Sequence, residues 1–154
     1  MAITQAVANS FKQQLLEGKH DFQFSGGDVF KLALYVSTAT LNSATTAYTS
    51  TGEVTGTGGQ YTAGGGELVK PNPSTSVASG VAIVDFADLS FTGVTITARG
   101  ALIYNTSSTN AAVAVLDFGS DKTATSGTFT IQFPPFTTSA AILRIAAEVV
   151  NAGN

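Results

Sequence analysis

Residues 81–105 read VAIVDFADLSFTGVTITARGALIYN, and this stretch decides the fold class. Apolar and small polar side chains alternate along it, the period of a half-buried β-strand. Val81-Ile83-Asp85 and Ala82-Val84-Phe86 form the two faces of one strand. A second strand carries Val94, Ile96 and Ala98 through Arg99-Gly100 into Ala101-Leu102-Ile103-Tyr104, with the glycine marking a bulge or bend. The polar turn NTSSTN (105–110) then sends the chain back into AAVAVLDFG (111–119), a hairpin signal with a loop longer than two residues.

The same alternation extends in both directions. Upstream, FKLALYVSTATL (30–41) places Phe30, Leu32, Leu34 and Val36 on one face and Lys31, Ala33 and Tyr35 on the other. Downstream, SDKTATSG (120–127) is expected to turn the chain into a further strand, Phe129-Ile131-Phe133. Pro134-Pro135 stops it, and ILRI (142–145) begins the last strand. Residues 42–66 are dense in Ser, Thr and Gly, with Tyr48, Val54 and Tyr61 as short strand candidates and the two tyrosines open to exposure. Leu68-Val69 forms a brief strand before Pro71-Asn72-Pro73. One helix is expected, over 3–17: Ile3, Val7, Phe11 and Leu15 recur every fourth residue, Leu16 widens the stripe, and Gly18 ends it. The expectation is an all-β domain spanning 1–154, a β-sandwich or jelly-roll-like barrel of about eight short strands over 28–146 behind one N-terminal helix.

Composition narrows the function classes. The 154 residues contain one His, no Cys and no Trp, so neither a disulfide framework nor a thiolate metal site can form. A chain of this length buries roughly 68–70% of its unfolded surface and needs no such staple. Charged residues make up 11% of the chain, against about 25% in an average protein. Thr (22) and Ser (14) take their place. Two readings account for this: pleated outer faces that favour Thr and Ser, or a surface covered by neighbouring subunits, since interface cores are depleted in charge. The net charge of −3 argues against a nucleic-acid partner. No apolar run approaches about 18 residues, so no membrane span is expected. The N-terminus lacks the pattern of a signal peptide.

Little in the chain points to chemistry. His20, just after the expected helix, reads as a surface or turn residue. A histidine hydrolase would also need a nucleophile elbow such as GxSxG, which is missing. Asp117-Phe118-Gly119 matches a protein-kinase tripeptide without any of its companion motifs, and reads as a strand end and turn. The clusters Gly56-Thr57-Gly58-Gly59 and Gly64-Gly65-Gly66 lack a phosphate loop's GK[ST] ending and read as turn glycines. Asp85 with Asp88, and Asp117 with Asp121, are the acidic pairs that could serve a glycosidase or calcium. Turn capping is the plainer role for them, with Arg99 or Arg144 as ion-pair partners. No catalytic, cofactor-binding or metal-binding residue is assigned.

The ordered set FKLALY (30–35), GQYTAGGG (59–66), VDFADLSF (84–91), TARGALIYN (97–105), AVAVLDFGSDKTATSGTFTIQF (112–133) and ILRI (142–145) resembles a group of small structural proteins of tailed bacteriophages. The opening ITQAVANSFKQQLLEG (3–18) is similar too, so the likeness covers nearly the whole chain. It implies a non-enzymatic virion component that forms a homo-oligomer, expected to be a trimer. A capsid decoration (cement) protein would bind the major capsid protein on the outer capsid surface. A tail, neck or fibre-base component is the alternative within the virion. A small receptor- or carbohydrate-binding β-sandwich is the alternative from another class. No cofactor, nucleic acid or membrane is implied, and the likeness lies in fold and turns, so it transfers no site residue.

Overall fold

The structure, a computed structural model, describes residues 2–56 and 59–146. It is all-β and sandwich-like, with two antiparallel sheets and one helix. The strands are β1 (Ala6–Val7), β2 (Phe30–Tyr35), β3 (Gly66–Glu67), β4 (Thr75–Ala78), β5 (Val81–Val84), β6 (Leu89–Asn105), β7 (Ala111–Ile131) and β8 (Leu143–Ala146). The helix α1 spans Asn9–Leu16. The larger sheet has the order β1-β7-β6-β2-β3, and the smaller one β4-β5-β8. No helix among the described residues is long and apolar enough to cross a membrane.

The β6–β7 hairpin is the spine. Its connection falls on the expected NTSSTN segment, where Asn105 accepts a hydrogen bond from the Ser107 N–H at 2.9 Å and caps a short 3₁₀ turn. The strands are longer than expected, 17 residues in β6 and 21 in β7. The expected turn at 120–127 is not a break between strands. The chain pairs with β6 on both sides of it and within it, Gly100 opposite Asp117, Ala98 opposite Lys122 and Phe91 opposite Phe129. Between Gly100–Asp117 and Ala98–Lys122 the extra residues of β7 are taken up as a bulge facing Arg99. Arg99 Nε holds that bulge at 2.9 Å from Asp121 Oδ1. Threonines suit the pleat on either side, and Thr97–Thr123 and Ser90–Thr130 hydroxyl pairs bridge the strands at 2.8 Å.

The helix expected over 3–17 is half the expected length. The β-branched residues Ile3, Thr4 and Val7 favour extended backbone, and tertiary partners take it up. The Thr4 N–H donates to Leu41 O at 2.9 Å, and Ala6 and Val7 pair with Val115 and Ala114. Helix α1 therefore starts after Ala8, whose N–H is already bonded to Val113 O. Gly18 ends it as expected: its φ is +73°, and the N–H groups of Gly18 and Lys19 return to Leu15 O and Gln14 O. The apolar stripe is buried at Ile3 and Phe11, half-buried at Val7 and Leu15, and open to solvent at Leu16.

One contiguous cluster of buried side chains runs from Ile3 to Leu143. Its centre is aromatic: Phe22 and Phe30 stack at 4.4 Å, and Phe86 packs against both and against Phe133. Burying a side chain of that size contributes roughly 1.5–3 kcal/mol. Leu68 and Val69, expected as a strand, follow β3, and the Leu68 N–H extends its ladder to Phe30 O.

Candidate functional site: an apolar groove beside the helix

Registers in the small sheet set its side chains in rows. Thr75, Val84 and Leu143 lie opposite one another, and two residues along each strand so do Val77, Ala82 and Ile145. Side chains two apart share a face, so both rows lie on the same side of the sheet. The first row sinks into the core at Leu143, with Val84 packed against it. The second is left in solvent, with Val77 71% and Ile145 59% exposed. A groove of about 570 Å³ lies between this sheet and α1. Phe11, Leu15 and Leu16 line it on one side, and Ala82, Ile83 and Ile145 on the other. Leu16, at its lip, is 91% exposed. Lys12 and Arg144 bring the charges to the rim, where Arg144 Nη1 donates to Thr138 O at 3.1 Å. Among the described residues both edge strands, β4 and β8, pair on one side only, and β4 carries no charge. An uncharged open edge beside exposed apolar side chains is a surface suited to pairing with another chain.

A second groove, of about 530 Å³, follows β7. Phe118 and Phe129 lie 6.2 Å apart in its floor. Gln5, Asp117 and Lys122 supply polar groups, and Gln5 Oε1 accepts from the Asp117 N–H at 3.2 Å.

Two polar clusters lie deeper. The first gathers all four tyrosines around Glu53. Tyr48 and Tyr61 donate to its two carboxylate oxygens at 2.6 and 2.7 Å, and the Gly64 N–H adds a third bond at 2.7 Å. Tyr35 donates to Thr49 O, Tyr104 donates to Gly64 O, and the Tyr48 and Tyr104 rings stack at 4.8 Å. Burial and then the Glu53 charge push Tyr104 up to about 12, and burial leads the upward shifts of Tyr35, Tyr48 and Tyr61 as well. All four phenols therefore stay protonated donors at neutral pH. The cluster pins Glu53, Tyr61 and Gly64 against β2 and β6. Tyr61 is buried and Tyr48 half-buried, so neither is the exposed aromatic that the loop-rich sequence left open. Gly65 makes the fit possible: its φ is +80°, and an added Cβ would stand 1.8 Å from Leu32 O.

The second cluster corrects the reading of His20. It is not a surface residue: it is 7% exposed, packed 4.7 Å from the Phe11 ring. Nε2 lies 2.8 Å from Gln14 Oε1, and Nδ1 lies 3.0 Å from Asn105 Nδ2. Asn105, fully buried, also donates to Asp28 Oδ2 at 2.7 Å. A polar group this deep is tolerated because it is bonded.

The acidic pairs are used locally. Asp117 Oδ1 caps the Gly119 N–H at 2.9 Å, as expected of a turn, and Asp121 pairs with Arg99. Asp88 Oδ1 accepts from the Phe133 N–H at 2.8 Å, beyond the end of β7. Asp85 is raised by burial, with a smaller push from Asp88. Arg144 makes no ion pair among the described residues, where no three metal-ligating side chains come together. Gly59, Gly64 and Gly65 adopt positive φ, the turn role expected of them, while Thr57 and Gly58 lie outside the described residues. No family model matches the chain, and no curated protein or solved structure matches it.

Proposed function

We propose that this chain is a non-enzymatic structural protein of a tailed-bacteriophage virion, a capsid decoration protein that binds the major capsid shell as a homo-oligomer. The observation that supports the homo-oligomer is the groove face: Leu16, Val77 and Ile145 stand in solvent beside two strand edges left unpaired among the described residues. A self-complementary patch in a closed assembly would cover such side chains. The low charge content, read from the sequence as either pleated faces or covered surface, is in keeping with the second option. Placement in the virion rests on the sequence resemblance.

The β7 groove favours a second reading, a binding module. Its Phe118–Phe129 floor with flanking amide, carboxylate and ammonium groups has the mixed character of a sugar-binding surface. Glycan-array binding lost on Phe118→Ala would favour that reading. The first test of the virion reading is the copy number of this chain per purified particle, by quantitative mass spectrometry. Near parity with the major capsid subunit is expected of a decoration protein. A few multiples of three or six would move it to the tail or neck, and absence from the particle would overturn the virion reading.

A further inference from the structure

The single histidine sits where three elements meet: α1 through Gln14, the segment 17–29 through Asp28, and the turn end of β6 through Asn105. Its partners admit one protonation state. Gln14 Oε1 only accepts, so Nε2 must carry the proton. Asn105 Nδ2 only donates, so Nδ1 must be bare. The Asn105 amide cannot be reversed to suit a charged ring. Its Nδ2 is committed to Asp28 Oδ2, and its Oδ1 accepts from the Ser107 N–H. Asp28 Oδ2 in turn accepts from the Asp21 N–H at 3.0 Å, tying the start of the segment to its end.

We propose that His20 is an acid-operated latch, in which protonation at Nδ1 sets two donors against each other and releases α1 and the 17–29 segment from the end of β6 while the β6–β7 sheet stays folded. The charged group facing the ring is Asp28, which favours the imidazolium and partly offsets the effect of burial. Lys19, next in the chain, opposes the charge and is paired with Glu17 at 3.0 Å on the surface. From β2 the ring meets Phe30, and from α1 Phe11 and Gln14, all uncharged. Lys70 Nζ lies 5.9 Å from the Phe30 ring centroid and donates to Asp28 O.

The sign is set by burial, the largest influence, which lowers His20 from its ordinary 6.5. The unfolded or released state then binds the proton more tightly than the latched one. The latch is fully closed above pH 6.5 and loses stability as pH falls below it, through the folded-state value. Because Phe11, Leu15 and Leu16 form one wall of the groove, release would also reshape the proposed interface. Only this last consequence rests on the homo-oligomer reading.

The test is amide hydrogen exchange of the full chain between pH 7.5 and pH 5, corrected for intrinsic rates. Residues 10–20 should lose protection relative to 111–116 as the pH falls below 6.5, while 111–116 hold theirs. His20→Gln, neutral throughout, should abolish that dependence. An imidazole NMR titration of the wild type should show the Nε2–H tautomer and a midpoint below 6.5, and it decides the matter if the variant does not fold. The latch is overturned by a midpoint at or above 6.5, by pH dependence that survives His20→Gln, or by parallel loss of protection at 111–116. If the latch holds but acid leaves self-association unchanged, the interface reading fails and the latch stands.

Discussion

The two sheets of this protein solve opposite problems. In the five-stranded sheet the hairpin ends of β6 and β7 are buried residue after residue, Gly100–Asn105 against Ala111–Val115, and their neighbours β1 and β2 close both edges. In the three-stranded sheet every residue of β4 is exposed, three of the four in β8 are exposed, and neither outer edge is paired among the described residues. Yet the small sheet is the one that shows Val77 and Ile145 to solvent. Apolar side chains in the first sheet are buried within the chain; in the second, Ile83 and Leu143 are buried while Val77 and Ile145 face solvent. If the exposed row is the interface proposed above, stability and association belong to different regions, and mutations should separate them.

The sharpest way to break that separation is in the large sheet. Phe30→Ala removes the ring stacked on Phe22 and should cost about 3–5 kcal/mol in denaturant unfolding; a cost below about 1 kcal/mol would mean the aromatic centre is not the core. Next, Glu53→Ala strips an acceptor from Tyr48, Tyr61 and Gly64 at once and should cost about 2–3 kcal/mol, with the 53–66 segment losing exchange protection first. Arg99→Ala cuts a half-exposed ion pair and should cost at most about 1 kcal/mol, less in high salt. Asp85→Asn works in the other direction. Asp85 is held above its ordinary value, so the folded chain binds that proton more tightly and loses stability as pH rises through the folded-state value. The amide should therefore give a slight gain near neutral pH, seen in melts at pH 7 and absent at pH 3. Smallest of all, the pair Val77→Ser with Ile145→Ser should leave stability within about 0.5 kcal/mol while weakening self-association.

What the sequence disclosed follows the same division. The hairpin was legible because its signals are local: alternation on both arms and the polar turn at 105–110. The all-β class followed from it. The turn expected at 120–127 is instead part of β7, because Ser120, Asp121, Ser126 and Gly127 suit a turn or a bulged strand equally, and only the pairing with β6 decides between them. The expected helix is too long because Ile3 and Val7 keep a four-residue spacing and are partly or fully buried in an extended segment as well, paired with Leu41 and Ala114 from far along the chain. Neither polar cluster could be read at all. Glu53 takes its tyrosines from positions 48 and 61 of its own segment, but the surrounding ring needs Tyr35 and Tyr104 from β2 and β6. His20 finds Asn105 across 85 residues of chain. The exposed row of Val77, Ala82 and Ile145 depends on register between β4, β5 and β8, which alternation alone does not supply.

The most direct test of the proposed interface is sedimentation equilibrium of the wild type beside a Leu16→Ser, Val77→Ser, Ile145→Ser variant, with thermal melts of both. The account predicts a wild-type mass at a small multiple of 15.7 kDa that falls toward the single-chain value in the variant, with the fold intact. A wild type that stays at 15.7 kDa across the concentration range, or a variant that associates as before, would contradict it.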